Sequence, residues 1–118
     1  VVDRSRQARG AFGERLAAEW YERQGFTVVR NWRGDGGELD LIAYRSGLVV
    51  VAEVKARASA AFGLPAEAVG PAKQRRIRRL GAQWLAGPAR ALGLGAVEVR
   101  FDVACVLGTE LSVIESAF

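Results

Sequence analysis

Leu48-Val49-Val50-Val51-Ala52-Glu53-Val54-Lys55 is the stretch that decides how this chain folds. Side chains on a strand alternate between faces. Val49, Val51, Glu53 and Lys55 therefore share one face, and Val50, Ala52 and Val54 share the other. Both faces are apolar until Glu53, the pattern of a central strand covered on both sides. A carboxylate and an ammonium at its end must be paired, or must hold an ion, to offset desolvation. Just upstream, Glu38 to Tyr44 reads as a second strand, and Arg45-Ser46-Gly47 as the tight turn of a hairpin. On that strand Glu38, Asp40 and Ile42 are expected on one face, with Leu39, Leu41 and Ala43 on the other.

Working outward, Phe26 to Trp32 is a β-rich run and reads as the first strand, with Arg33-Gly34-Asp35-Gly36-Gly37 as a flexible turn. Before it, Phe12, Leu16 and Trp20 recur every four residues, which predicts a helix over Phe12 to Arg23 with Gly25 as its left-handed cap. Residues 56 to 70 read as an irregular connection carrying Gly63 and Pro65. Pro71 then opens a second helix running to about Ala86, broken by Gly87-Pro88. After a loop at Gly93 and Gly95, Val97 to Leu107 is a fourth strand and Leu111 to Ile114 a short fifth. The order α-β-β-β-α-β-β is that of a single α/β domain with a mixed sheet flanked by helices. Its 118 residues fit one domain, with no repeat or linker to divide them.

The sequence has no histidine. Ser-His-Asp and Cys-His catalysis and His-ligated zinc are thereby excluded, and any hydrolysis must rest on carboxylates, lysine and a hard metal ion. The hairpin brings Asp40 near Glu53. Two carboxylates a few ångströms apart repel, and a divalent cation removes that penalty. Oxygen donors without imidazole or thiolate favour Mg2+ or Mn2+. Lys55 can approach the same centre, to hold a scissile phosphate or the attacking water. The plainer alternative is that Glu53 and Lys55 are a cross-strand ion pair at a sheet edge. Glu14 lies at the border of the first helix's apolar arc, beside Gly10, Ala18 and Tyr21. It is either a third carboxylate reaching the metal, directly or through water, or a solvated helix glutamate.

The net charge is +4, and fifteen of the 17 basic residues are arginine, a residue suited to bidentate phosphate contacts. The second helix carries KQRRIRRL. Ile77, Leu80 and Trp84 form its inward stripe, and Lys73 lies one turn earlier on that side, with Gln74 close by. Arg75, Arg78 and Arg79 fall on the outer arc, as a solvated basic face or as a surface that tracks a nucleic-acid backbone. Three to five phosphate contacts there would give a log–log salt slope of about −3 to −4.5. Trp20, Trp32 and Trp84 are expected to fill the core rather than stack on bases. Cys105, the single cysteine, is expected to be a buried structural thiol. With no disulfide possible, no signal peptide visible and no apolar run near the ~18 residues of a membrane span, a cytoplasmic protein without membrane attachment is expected.

Taken together, Glu14, then Gly37-Glu38-Leu39-Asp40-Leu41-Ile42, then Ala52-Glu53-Val54-Lys55-Ala56-Arg57 resemble the YraN-like family of bacterial, endonuclease-like proteins. The likeness continues through Phe62-Gly63, Glu67-Ala68-Val69, Lys73, Ile77 and Arg100-Phe101-Asp102-Val103, and covers about residues 6 to 115. That family is similar in pattern to archaeal Holliday-junction resolvases and restriction-type PD-(D/E)XK nucleases. The superfamily's proline before the aspartate is Leu39 here, as is normal for this family. The resemblance implies a restriction-endonuclease-like α-β-β-β-α-β core. It implies metal ligation by Asp40 and Glu53, a catalytic Lys55 and a helix carboxylate at Glu14. By analogy, the backbone carbonyl of Val54 is a further ligand to Mg2+ or Mn2+. Glu38 is either an extra ligand or a structural residue. The activity implied is hydrolysis of nucleic-acid phosphodiesters, with DNA favoured over RNA and branched or repair DNA as a substrate class. A homodimer is also implied, because two cuts on a two-fold junction match two-fold protein symmetry. The alternative is a nucleic-acid-binding or adaptor module that keeps the fold without turnover.

Overall fold

The apolar run of the central strand does what its composition dictates. In a computed structural model describing residues 4–58 and 69–118, Leu48–Arg57 is the middle strand of a five-stranded sheet. Around it, in chain order, are α1 (Arg4–Glu22), β1 (Thr27–Gly34), β2 (Gly37–Arg45), β3 (Leu48–Arg57), α2 (Pro71–Ala86), α3 (Pro88–Ala91), β4 (Glu98–Leu107) and β5 (Glu110–Ile114). The sheet order is β1-β2-β3-β4-β5. β1, β2 and β3 form an antiparallel meander, and β4 runs parallel to β3. A parallel neighbour needs a crossover, and the chain between β3 and β4 carries α2 and α3. β5 returns antiparallel on β4. This is the expected α/β fold with a mixed sheet, consistent with a restriction-endonuclease-like core.

Each helix covers one face. α2 buries Ile77, Leu80, Gly81 and Trp84 against Ile42, Val49, Val51 and Val103. α1 buries Ala17, Ala18 and Tyr21 against Leu41, Ala43, Val50, Ala52 and Ala104. The inward stripe of α1 is thus built from small residues and Tyr21, while Phe12, Leu16 and Trp20 are only half-buried. Small residues let the helix lie close to the sheet: a Cβ on Gly13 would come within 3.1 Å of Ala56 Cβ. Glu14 is one helical turn before Ala18 on this same stripe.

Three features depart from the sequence reading. α1 begins at Arg4, not at Phe12; its first two turns carry no apolar periodicity and so left no signal. The chain after Gly87 resumes as the one-turn helix α3 instead of breaking outright. The third departure bears on the site. Leu39 does not share a face with Leu41 and Ala43; it packs on the α2 side with Ile42. On β1, Val29 and Trp32 likewise both lie on the α2 side. The alternation therefore slips on both strands, at Asn31 and Asp40, the position missing from the β1–β2 ladder. Asn31 makes the slip possible by adopting a left-handed backbone, φ 53°, which asparagine tolerates better than most residues.

Cys105 is buried and Trp84 is fully buried, with Trp20 and Trp32 packed at the margins of the two core clusters. Among the described residues no helix is long and apolar enough to cross a membrane. Phe62-Gly63, Glu67-Ala68 and Pro65 lie outside the described residues.

Candidate metal centre

Asp40 stands where β2 and β3 part. The ladder between them ends at Leu41 opposite Ala52. Beyond that point the Val54 amide donates to Asp40 Oδ2 at 2.9 Å instead of to a strand partner. In an extended strand the N–H and C=O of one residue point to the same edge. The Val54 carbonyl therefore faces the same gap. The slip at Asp40 is what frees its carboxylate from the ladder's geometry and turns it towards β3.

Glu53 is the next residue in this arrangement, with its side chain only 8% exposed. It shares a hydrogen bond with Asp40. Its Oε2 lies 3.0 Å from Nζ of Lys73 on the first turn of α2. Burial, the bond to Glu53 and the Glu53 charge push Asp40 up from its ordinary 3.8 to about 8, against the downward pull of the Val54 amide. Burial also acts upward on Glu53, but the hydrogen bonds from Asp40 and Lys73 outweigh it and hold Glu53 below its ordinary value. The pair thus keeps one proton near neutral pH, because two carboxylates this close cannot both ionise unaided.

Two lysines complete the cluster. Burial and the neighbouring Lys73 hold Lys55 below its ordinary value. Lys73 is raised: burial would lower it, but its contacts with Lys55 and the Glu53 carboxylate prevail. The sequence-predicted Asp40, Glu53, Lys55 and Lys73 therefore meet in one place. Glu38, Asp40 and Glu53 also line a single small cleft against Ile77.

The donor chemistry fits a hard divalent ion. Two carboxylates and a backbone carbonyl border one gap, and the proton shared by Asp40 and Glu53 marks charge repulsion that a cation would relieve. Among the described residues no three Asp, Glu or Cys side chains gather about one point. Glu14 in particular is engaged beside the pair: it accepts from Asn31 Nδ2 at 3.0 Å and lies 3.7 Å from Arg30. Its charge is nonetheless felt at Asp40, which it pushes upward. Glu38 pairs across the β1–β2 ladder with Arg33 at 3.1 Å.

The polar residues of α2 divide. Gln74 donates to the Val69 carbonyl at 3.0 Å. Arg75, Arg78 and Arg79 are all exposed. Arg78 lies over the rings of Phe101 and Phe118, 4.7 and 5.5 Å from their centroids. Arg79 Nη1 donates to the Asp35 carbonyl at 2.7 Å and so fastens the β1–β2 turn to the helix.

Sequence reasoning missed Asn31 and Arg30, which hold Glu14, and gave no role to Asp102, which is fully buried. An asparagine inside a β-rich run was the one available signal for the first. Asp102 accepts from Tyr21 Oη at 2.6 Å, from Arg100 Nε and Nη2 at 2.9 and 3.0 Å, and from the Ser116 amide at 3.0 Å. It ties α1, β4 and the C-terminal segment together.

Residues 13–106 match the model of "Uncharacterised protein family UPF0102". Similar proteins carry the same name in other bacteria. One from Beutenbergia cavernae is 50% identical over 107 residues, covering 90% of this chain and 87% of its own. One from Nocardia farcinica is 47% identical, covering 88% and 80%. One from Renibacterium salmoninarum is 46% identical, covering 83% and 80%. The chain belongs to the UPF0102 family, the YraN-like family of nuclease-like proteins.

Proposed function

We propose that the chain is a metal-dependent, endonuclease-like hydrolase of nucleic-acid phosphodiesters. The observation that carries this reading is the Asp40–Glu53 pair, set where β2 leaves β3 and flanked by Lys55 and Lys73. Asp40, Glu53 and the Val54 carbonyl would hold Mg2+ or Mn2+. When bound, such an ion polarises a phosphoryl oxygen and lowers the pKa of water. Glu14, held by Asn31 and Arg30 next to Asp40, adds negative charge from outside that set. Lys55 orients the nucleophile and offsets the charge that builds on the phosphorus centre. Lys73, Gln74 and Arg75 sit on the first turns of α2 and seat the backbone, with Arg78 and Arg79 further along the helix. The partner is nucleic acid, DNA before RNA, and branched or repair DNA is the substrate class that the family resemblance favours. A homodimer would match paired cuts.

The test is cleavage of branched and linear DNA with Mn2+ by the wild type, Asp40→Ala and Lys55→Ala. Both substitutions are expected to reduce the rate by about 100-fold or more. Equal activity in all three would expose a contaminant and overturn the reading. The convergence of only two carboxylates among the described residues keeps a second reading in view, that of a nucleic-acid-binding adaptor. An adaptor needs no metal, so calorimetric titration with Mn2+ separates the two.

A further inference from the structure

Glu53 already has a cation. Lys73 Nζ lies 3.0 Å from Glu53 Oε2, and the side chains are 28% and 8% exposed. That carboxylate oxygen belongs to the same group that the proposed metal would use. A divalent ion brought to the same carboxylate would face that ammonium across a few ångströms, and like charges at such a separation repel. Lys55 is two residues further along the same strand as Glu53. Lys73 is on another element, α2, and its ammonium ends a flexible four-carbon stem. With more than a quarter of its side chain exposed, it has a path outward.

We propose that Lys73 is the resident counter-cation of the metal-free site, displaced from Glu53 by the metal and thereby transferred to the nucleic-acid backbone. The inference rests on the metal-dependent reading above and adds a coupling to it. In the metal-free protein Lys73 neutralises Glu53 and is withheld from phosphate. In the metal-loaded protein it is a free ammonium beside the cleft. Metal and polyanion then bind cooperatively through one side chain, and the coupling is reciprocal: the backbone, by taking Lys73, raises metal affinity by the same factor.

The experiment uses the full chain and needs no turnover. Mn2+ is titrated calorimetrically into metal-free wild type, Lys73→Met and Lys73→Gln, and each is melted with and without Mn2+. Binding of a short phosphorothioate DNA duplex is followed by fluorescence anisotropy at fixed ionic strength, with and without Mn2+. Both substitutions remove the competing charge, and the two side chains differ in polarity, so a folding defect in one leaves the other to report. Mn2+ is expected to bind at least about fivefold tighter to the variants. Their metal-free melting temperatures should fall and their Mn2+-loaded ones should match wild type. The increase in duplex affinity that Mn2+ brings to wild type should shrink in both. Equal or weaker Mn2+ binding by the variants, with wild type binding normally, overturns the exchange and leaves the metal site standing. Failure of wild type and both variants to bind Mn2+ removes the metal reading itself, and the exchange with it.

Discussion

At the scale of single residues, Asp40 and Glu53 shift in opposite directions. Asp40 is raised by burial first, and then by its bond to Glu53 and the Glu53 charge, so its folded value lies above its unfolded one. The sign follows: the stability that Asp40 contributes is full below about pH 4 and is lost as pH rises through about 8. Glu53, shifted downward, contributes stability above its ordinary 4.5 and loses it only on further acidification. Metal-free protein is therefore expected to lose stability from about pH 5 to about pH 8 on account of Asp40. Urea unfolding in the presence of a chelator checks this, and Asp40→Asn should flatten the slope. A slope as steep as wild type in that variant would assign the proton to another group. Asp102 is fully buried, and its side-chain partners are all donors: Arg100, the Tyr21 hydroxyl and the Ser116 amide. Arg100 is correspondingly raised, the bond to Asp102 overcoming burial, which acts to lower it. Removing one partner of a buried ion pair strands the other. Asp102→Ala is expected to cost about 3–5 kcal/mol in urea unfolding. A cost within the surface range of about 0.5 kcal/mol would show that the network is dispensable.

At the scale of elements, α1 and α2 hold the sheet by different means. α1 comes so near to β3 that Gly13 has Ala56 Cβ waiting 3.1 Å from where its own Cβ would be. Gly13→Val adds a branched side chain at this contact. It is expected to lift α1 from β3 at a cost of about 1–3 kcal/mol in chemical denaturation, and to move Glu14, the next residue, away from Asn31. An unchanged midpoint would mean that the helix shifts freely. α2 instead grips both ends of the site's framework. Its first turn reaches Glu53 through Lys73, and its later turns hold the Asp35 backbone through Arg79 and Gln83. Much of this was legible in the sequence. The run from Leu48 to Lys55 announced a central strand because apolar side chains on both faces have no other use, and Lys73 fell on the inward side by its spacing from Ile77. The slip at Asp40 was not legible. Strict alternation assumes an unbroken ladder, and that assumption fails where β2 leaves β3, at the very position the site uses. The first two turns of α1 were hidden for another reason: a helix that extends past the sheet needs no apolar stripe, so Arg4 to Ala11 carry no period to detect.

At the scale of the whole molecule, the sheet separates two helices that both reach the candidate site, α1 through Glu14 and α2 through Lys73. The net charge of +4 supplies a mild general attraction for polyanions, but the basic face of α2 is not uniform in what its arginines are doing. Arg78 is stacked on Phe101 and Phe118, and Arg79 is spent on the Asp35 carbonyl. Arg75 is exposed on the turn nearest Lys73. If this face tracks a phosphate backbone, each arginine that touches a phosphate contributes about 0.9 to the log–log salt slope, whereas an arginine engaged in the fold contributes stability instead. Arg75→Ala is therefore expected to make the slope shallower by about 0.9 and to leave the melting temperature unchanged. Arg79→Ala is expected to lower the melting temperature, because it unfastens the β1–β2 turn, and to change the slope by less. Duplex binding measured across a salt series, alongside thermal melts of the same three proteins, resolves the two effects. An identical slope in wild type and Arg75→Ala would take this face of α2 out of the binding surface. The contacts would then have to come from other elements around the site.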